Sequence, residues 1–341
     1  MRHIRAEILN WYLVHKRSLP WRETKNPYDI WLSEIILQQT RVEQGMSYYF
    51  KFLERFPTVF DLAEAKEQEV LNLWQGLGYY SRARNLHRTA KEIVDVHQGE
   101  FPQTYDGLLS LKGIGPYTAA AIASFSFDLP HAVLDGNVFR VLSRIHNWDV
   151  PINSTQGKKD FEKLANDLLD TENPGLFNQA MMEFGALHCK PTQALCHVCP
   201  VAIHCLGFQE KKVDQLPVKL KKQAIRKRFF LFEIIRVGSN EIFIERREQK
   251  DIWQHLYQFP LKEFETPEAK EAYLNSTDHR FISKEYKHIL SHQHLFCHFI
   301  VREQVQTDNG LAIQINEIVD YPIPRAIDRF LDEYGLDIFH S

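Results

Sequence analysis

Four cysteines fall within 17 positions of this chain: Cys189, Cys196, Cys199 and Cys205, spaced C-x6-C-x2-C-x5-C. The fifth, Cys297, lies about 90 residues downstream. Such crowding forces a local fold around one centre, because four thiolates this close can hold a metal group without help from distant segments. Disulfide frameworks belong to short secreted chains, and this one has 341 residues. Zinc ribbons pair two C-x2-C knuckles across a longer loop. A single C-x2-C flanked by wider gaps fits a [4Fe–4S] cubane better, with one thiolate per iron corner. Zinc, or cysteines sharing no ligand, are the alternatives.

Thiolate ligands imply a reducing compartment. The opening residues, MRHIRAEILNWYLVHKR, are polar and helix-periodic and contain no apolar signal core. The longest apolar runs, such as Ala119–Ala123, are far too short to span a bilayer. A cytoplasmic protein is expected, nucleoid-associated in a bacterium, with no membrane partner. A net charge of -3 gives no global attraction to nucleic acid, so any such site must gather its cations locally.

The chain reads as three parts. Residues 1–207 are dominated by helical periodicity, as in Ile30–Gln39, Asp61–Trp74, Ser81–Val96 and Lys159–Leu169. Residues 208–228 (FQEKKVDQLPVKLKKQAIRKR) are basic, carry one proline and show little periodicity. They read as a linker, either a solvated hinge or a segment lying on a polyanion. Residues 229–341 mix strand-like runs, Phe229–Val237, Glu241–Glu245 and Leu295–Val301, with helix-like pieces at Pro267–Leu274 and Ala326–Tyr334, as in an α+β domain.

Three elements of the first part can carry chemistry. In Leu111-Lys112-Gly113-Ile114-Gly115-Pro116-Tyr117, two glycines one residue apart make a tight turn and Pro116 suits the first turn of a new helix. The turn aims backbone N–H groups outward, which suits a phosphate, though a plain helical hairpin reads the same way. Asp135, in LDGNV, is either a helix N-cap or an ionised carboxylate at a cleft mouth, and Asn137 follows it. Glu34 interrupts the apolar run WLSEIILQQT. It is either on an exposed stripe or a carboxyl held in an apolar site, where burial raises its pKa toward that of a general acid.

Taken in order, WLSEIILQQT, LKGIGPYTA, LDGNV and the cysteine cluster resemble the endonuclease III superfamily of helix-hairpin-helix DNA glycosylases, and within it the adenine DNA glycosylases of the MutY type. PWR at 20–22, NPYDIWLSEIILQQTRV at 26–42, WQGLGYYSRARNL at 74–86 and FNQAMMEFGALHC at 177–189 also resemble that family, and the likeness covers nearly the whole chain. It implies a mainly α helix-hairpin-helix glycosylase domain with a [4Fe–4S] cluster loop on Cys189, Cys196, Cys199 and Cys205, followed by an α+β Nudix-like domain. The implied partner is duplex DNA carrying 8-oxoguanine:adenine or guanine:adenine mispairs, bound by a monomer.

The resemblance also implies roles. Glu34 protonates adenine at N7, Asp135 stabilises the resulting sugar cation, and Tyr117 and Asn137 orient Asp135 and water. Bifunctional relatives place a Schiff-base lysine two residues after the last hairpin glycine. Tyr117 stands there, so hydrolysis without strand cleavage is expected. By the same likeness Gln179 would read the adenine edge, or else tie two helices, and Gln39 and Tyr79 would wedge into the duplex, Tyr79 being otherwise ordinary core. On residue chemistry, the turn at Gly113 and Gly115 and the side chains of Arg22, Arg82 and Arg84 are candidate phosphate contacts, although exposed arginines often do nothing specific. In the C-terminal part, Asp251–Pro260 is similar to the W-x-F-P region of Nudix domains, but the Glu-rich metal-binding signature of Nudix hydrolases does not follow it. The family's Phe-Ser-His recognition loop corresponds to Leu290-Ser291-His292, where Leu290 departs from the pattern and Ser291 keeps a hydroxyl for the N7–H of 8-oxoguanine. The other readings are a bifunctional pyrimidine-lesion enzyme, a non-catalytic lesion sensor, and a hydrolase of oxidised nucleotides.

Overall fold

The computed structural model describes residues 1–220, 225–237, 240–303 and 310–339, and it divides into two compact units. The first unit, residues 1–64 and 85–221, is helical. Its central helices, Pro27–Leu37 and Pro116–Phe127, are buried nearly all round, from Ile30 to Ile36 and from Thr118 to Phe125. A helix apolar on every face belongs in a core. The small residues Ala119, Ala120, Ala121 and Ala123 let neighbouring helices close in on it. A second layer packs helix Arg2–His15 and helix Gly136–Ile145 against Thr155–Leu168 and Pro174–Leu187, around Ile8, Tyr12, Leu142, Phe161 and Phe184.

Helix starts follow capping chemistry. Asn26 accepts the Tyr28 N–H ahead of Pro27, Thr104 accepts that of Gly107, and Ser154 accepts that of Gly157. Two periodic runs are shorter than the sequence pattern suggests. The 30–39 run ends at Leu37, because Gln38 leaves helical geometry at ψ 115 and Gln39 adopts φ +58. The 61–74 run is two helices, Val59–Glu64 and Glu67–Leu73, separated where Lys66 is extended.

The second unit, residues 65–84 and 222–341, holds an eight-stranded sheet. Its strands are β1 (Arg226–Val237), β2 (Glu241–Arg246), β3 (Tyr257–Gln258), β4 (Leu261–Phe264), β5 (Phe281–Ile282), β6 (Tyr286–Ile289), β7 (Gln293–Glu303) and β8 (Leu311–Gln314). The two longest, β1 and β7, run parallel from Arg226↔Gln293 to Arg236↔Glu303, and every other pairing is antiparallel. β1 is buried from Phe230 to Ile235, on both faces, as suits an apolar run broken only by Glu233, whose carboxylate is paired with Arg302 and Tyr273. Helix Pro267–Ser276 packs Leu274 near Leu231 and Ile300, and helix Arg325–Tyr334 stacks Phe330 on Phe299 at 4.2 Å. Residues 65–84 join this unit through Asn72 to the Asp320 carbonyl (2.6 Å), Glu67 to Arg246 (3.0 Å) and Arg84 to the Gln254 carbonyl (2.6 Å).

Of the basic segment 208–228, residues up to 220 are held to the first unit. Leu216 is buried, and Val218 and Leu220 make hydrogen bonds to Ile152 and Asn153. Residues 221–224 lie outside the described residues, and Arg226 already begins β1. Arg228 is buried and ion-paired with Asp251 and Glu263, so it is not a free cation. Among the described residues no helix is long and apolar enough to cross a membrane.

Candidate active site

A cavity of about 280 Å³ in the helical unit is lined by Glu34, Tyr117, Asp135, Asn137, Gln179 and Glu183 among others, with no lysine among its described lining residues. Glu34 sits on helix Pro27–Leu37 and is 6% exposed, so the buried-carboxyl reading holds rather than the exposed stripe. Burial pushes its pKa up to about 7, the hydrogen bond from Tyr117 works against this, and the nearby Asp135 charge works with it. The Tyr117 hydroxyl donates to Glu34 Oε2 at 2.5 Å. Burial, followed by the charges of Glu34 and Asp135, keeps that phenol protonated.

The hairpin sets Tyr117 in place. Gly113 adopts φ +88, and a Cβ there would meet Asn85 Cβ at 2.8 Å. Gly115 differs: its φ is −94 and nothing lies within 4 Å of a Cβ, so the protein's own packing does not demand glycine.

Asp135 is both N-cap and cavity carboxylate. Its Oδ1 accepts the Val138 N–H at 2.7 Å and its Oδ2 accepts Asn137 Nδ2 at 2.6 Å. Burial raises its pKa, and those hydrogen bonds partly offset the rise. Arg140 donates to Asn137 Oδ1 at 2.9 Å, which fixes the amide with its NH2 toward Asp135. The cap and the functional reading are therefore compatible, because capping uses one oxygen lone pair and leaves the others.

Gln179 accepts a hydrogen bond from the Tyr12 hydroxyl at 2.9 Å through Oε1, which turns its NH2 to the other side. One turn later on the same helix lies Glu183, a site residue that sequence reasoning missed. It is 1% exposed and accepts from Arg17 Nη2 at 2.7 Å and Arg22 Nη2 at 2.8 Å. Burial alone would raise its pKa, but the two guanidinium groups outweigh burial and hold it down at about 2. Arg22, expected at a phosphate, is turned inward to this pair and lines the cavity. The signal for Glu183 was available, since FNQAMMEFGAL is interrupted by one Glu just as WLSEIIL is.

Gln39 and Tyr79 lie outside this cavity. Gln39 is exposed at φ +58, and Tyr79 is 43% exposed at φ +48. Left-handed backbone costs a non-glycine residue roughly 1–2 kcal/mol, a strain that concentrates at functional positions. In the second unit, Tyr79 lines a larger cleft together with Leu290, Ser291, His292, Gln254 and Arg84. Ser291 is exposed there, with Oγ 3.3 Å from His292 Nδ1. Arg82, expected at a phosphate, is 9% exposed and lies over the Trp74 and Tyr79 rings.

The four clustered cysteines line a cavity of their own with Arg144, Phe184, His188 and Val201, and none is in a disulfide. Cys199 follows a single 3-10 turn begun by Cys196, the geometry a C-x2-C spacing allows. Burial, then the neighbouring thiolates, push Cys199 up to about 12, so ionising the set calls for a cationic partner. Among the described residues no three ligands converge closely enough for one metal ion. Four cysteine side chains lining one cavity form a donor set that a metal centre could share.

Residues 32–169 match the model of the HhH-GPD superfamily of base excision DNA repair proteins, and residues 232–333 match a NUDIX domain. The chain is 37% identical to an adenine DNA glycosylase of Buchnera aphidicola subsp. Schizaphis graminum, over 95% of this chain and 96% of that one. It is 36% identical to the Arabidopsis thaliana adenine DNA glycosylase over 75% of this chain and 47% of that one. Among solved structures, a thermostable thymine-DNA glycosylase matches with TM-score 0.57 and 26% identity, over 61% of this chain and 96% of that one. An endonuclease III–DNA complex (TM-score 0.54, 22% identity, 62% of this chain and 95% of that one) shares the fold. With a relative matched nearly end to end and both domain models present, the chain belongs to the adenine DNA glycosylases, which hydrolyse the N-glycosidic bond of adenine in base excision repair.

Proposed function

We propose that this enzyme acts as a monomer on duplex DNA and removes adenine paired with 8-oxoguanine or guanine, by hydrolysis and without strand cleavage. The observation that carries the catalytic part is the Glu34–Tyr117 hydrogen bond in the same cavity as the Asp135–Asn137 pair. Adenine leaves an N-glycosidic bond readily only as a neutral base. Glu34, protonated to about pH 7, donates its proton to N7. The C–N bond then breaks and positive charge spreads over the sugar. Asp135, ionised and facing the cavity, stabilises that cation or traps it as an ester. Glu34, now a carboxylate, takes a proton from the water that completes the hydrolysis. Tyr117 holds Glu34, Asn137 holds Asp135, and a phenol at position 117 forms no imine with the opened sugar. The Gln179 NH2 faces the base edge, while Glu183 acts through Arg22 as the fixed far wall.

The base reaches this cavity only by leaving the stack. The strained, exposed positions of Gln39 and Tyr79 suit residues that fill the gap. The open space over Gly115 suits close approach of a phosphate to backbone N–H groups. Ser291, flanked by Leu290 and His292 in the cleft with Tyr79, is assigned to the N7–H of 8-oxoguanine. The four cysteines hold a [4Fe–4S] cluster that staples the end of the helical unit and takes no part in bond cleavage.

Asp135→Asn is expected to slow single-turnover excision a hundredfold or more, roughly the cost of losing one electrostatic stabiliser. Its melting temperature should fall only modestly, because Asn caps helices as well as Asp and the one loss is the Asn137 hydrogen bond, where two NH2 groups would meet. A large fall in stability would mean the carboxylate is structural. Ser291→Ala should cost about tenfold with 8-oxoguanine opposite adenine, one hydrogen bond's worth, and little with guanine. Equal losses on both duplexes would remove Ser291 from lesion reading. The deciding assay for the whole reading is single-turnover excision on labelled 8-oxoguanine:adenine duplex, split with and without hot alkali. Strand breaks only after alkali support a monofunctional enzyme. Breaks without alkali overturn that assignment, and none in either arm overturns catalysis at this site.

A further inference from the structure

Helix Gly136–Ile145 ends in a buried cation, Arg144, with no carboxylate among its partners in the described residues. Arg144 is 2% exposed. Its Nε donates to the carbonyls of Val213 (2.9 Å) and Leu216 (3.2 Å), and Nη2 to that of Pro191 (3.1 Å). Its Nη1 donates to the Lys190 carbonyl at 2.7 Å and to Cys189 Sγ at 3.4 Å. The Arg144 carbonyl lies 3.3 Å from Cys205 Sγ. Gly207 leaves room for that carbonyl, since a Cβ at 207 would stand 2.6 Å from it. One side chain thus ties residues 189–191, at the first cysteine, to residues 213–216, beyond the last.

Carbonyl dipoles solvate a guanidinium but do not neutralise it, and a buried ion without a counter-charge is strongly disfavoured. The cysteine cavity, which Arg144 lines, is where the missing charge belongs. Four thiolates around a [4Fe–4S] core carry roughly two net negative charges. We propose that Arg144 is a positioning residue with two separable effects on that centre: its charge sets the reduction potential, and its planar fork clamps the cysteine loop. Each added electron makes the centre more negative, so a cation at the Cys189 sulfur stabilises the reduced form. This inference rests on the cluster assignment above.

The test uses the full chain, purified without oxygen, as wild type, Arg144→Gln and Arg144→Lys. Iron and acid-labile sulfide are counted, the potential is read by voltammetry, and iron loss to a chelator is timed. Arg144→Gln should shift the oxidised-to-reduced ratio at least tenfold toward the oxidised form, a fall of about 59 mV for a one-electron couple. Arg144→Lys keeps the charge but not the fork. It should hold the potential near wild type while releasing iron several-fold faster. An unchanged potential in iron-loaded Arg144→Gln overturns the charge role. Should that variant fail to load, Arg144→Lys decides: wild-type potential with faster iron release upholds the proposal, and wild-type release or a shifted potential overturns it. A wild type lacking iron and sulfide would instead refute the cluster assignment, and this inference with it.

Discussion

Glu34→Gln should reduce adenine excision by roughly 10²–10⁴-fold, the range general acid catalysis supplies, while DNA binding persists. It should also make the protein more stable. The folded enzyme holds the Glu34 proton to about pH 7, whereas an unfolded glutamate releases it near 4.5. Folding therefore becomes less favourable as pH rises between those values, because ionisation is easier in the unfolded chain. An amide of the same shape accepts the Tyr117 hydrogen bond without that liability. The variant's advantage should be absent below pH 4.5, grow through the window and level off above pH 7 at up to about 3 kcal/mol. Denaturant unfolding at pH 4, 6 and 8 measures it. A variant destabilised equally at all three would show Glu34 to be a packing residue. In the wild type, the same shift should make excision fall on the alkaline side of about pH 7, as the acid is lost.

Local chemistry made much of this legible in the sequence. Pro116 after a glycine turn, Asp135 before a helix and four crowded cysteines each state a backbone or ligand requirement that neighbours cannot override, and the elements formed where expected. Apolar periodicity likewise located β1 and β7, although β1 starts at Arg226 and β7 at Gln293, each with a polar lead-in. What escaped was long-range. Nothing near residues 65–84 announces that they pack with the C-terminal sheet, because the partners Arg246, Gln254 and Asp320 are remote in sequence. Arg22 looked like an exposed phosphate ligand because its partner Glu183 is 161 residues away. A lone Glu in an apolar helix left burial and exposure both open at Glu34, which is buried, and was overlooked at Glu183. The two differ in outcome: burial outweighs the Arg22 charge at Glu34 and raises its pKa, whereas two hydrogen-bonded arginines lower that of Glu183.

That contrast makes Glu183→Gln the second large effect. Removing one partner of a buried ion pair leaves the other charge stranded, at a cost of about 3–5 kcal/mol. Arg17 is about one-third exposed and recovers some hydration, but Arg22 is at 13% and cannot. The loss should depend on pH in the sense opposite to Glu34. A carboxyl held down at about 2 stabilises the fold fully above its unfolded value of 4.5, and that contribution fades as pH falls toward 2. Wild type and variant should therefore differ most near neutrality and converge in acid. Arg22 already pulls the Glu34 pKa down, and once freed from Glu183 it should do so more strongly. The alkaline limb of excision would then move to lower pH in Glu183→Gln. An unmoved limb, with the stability loss intact, would confine Glu183 to holding the wall of the cavity and leave the tuning of the acid to burial, Tyr117 and Asp135.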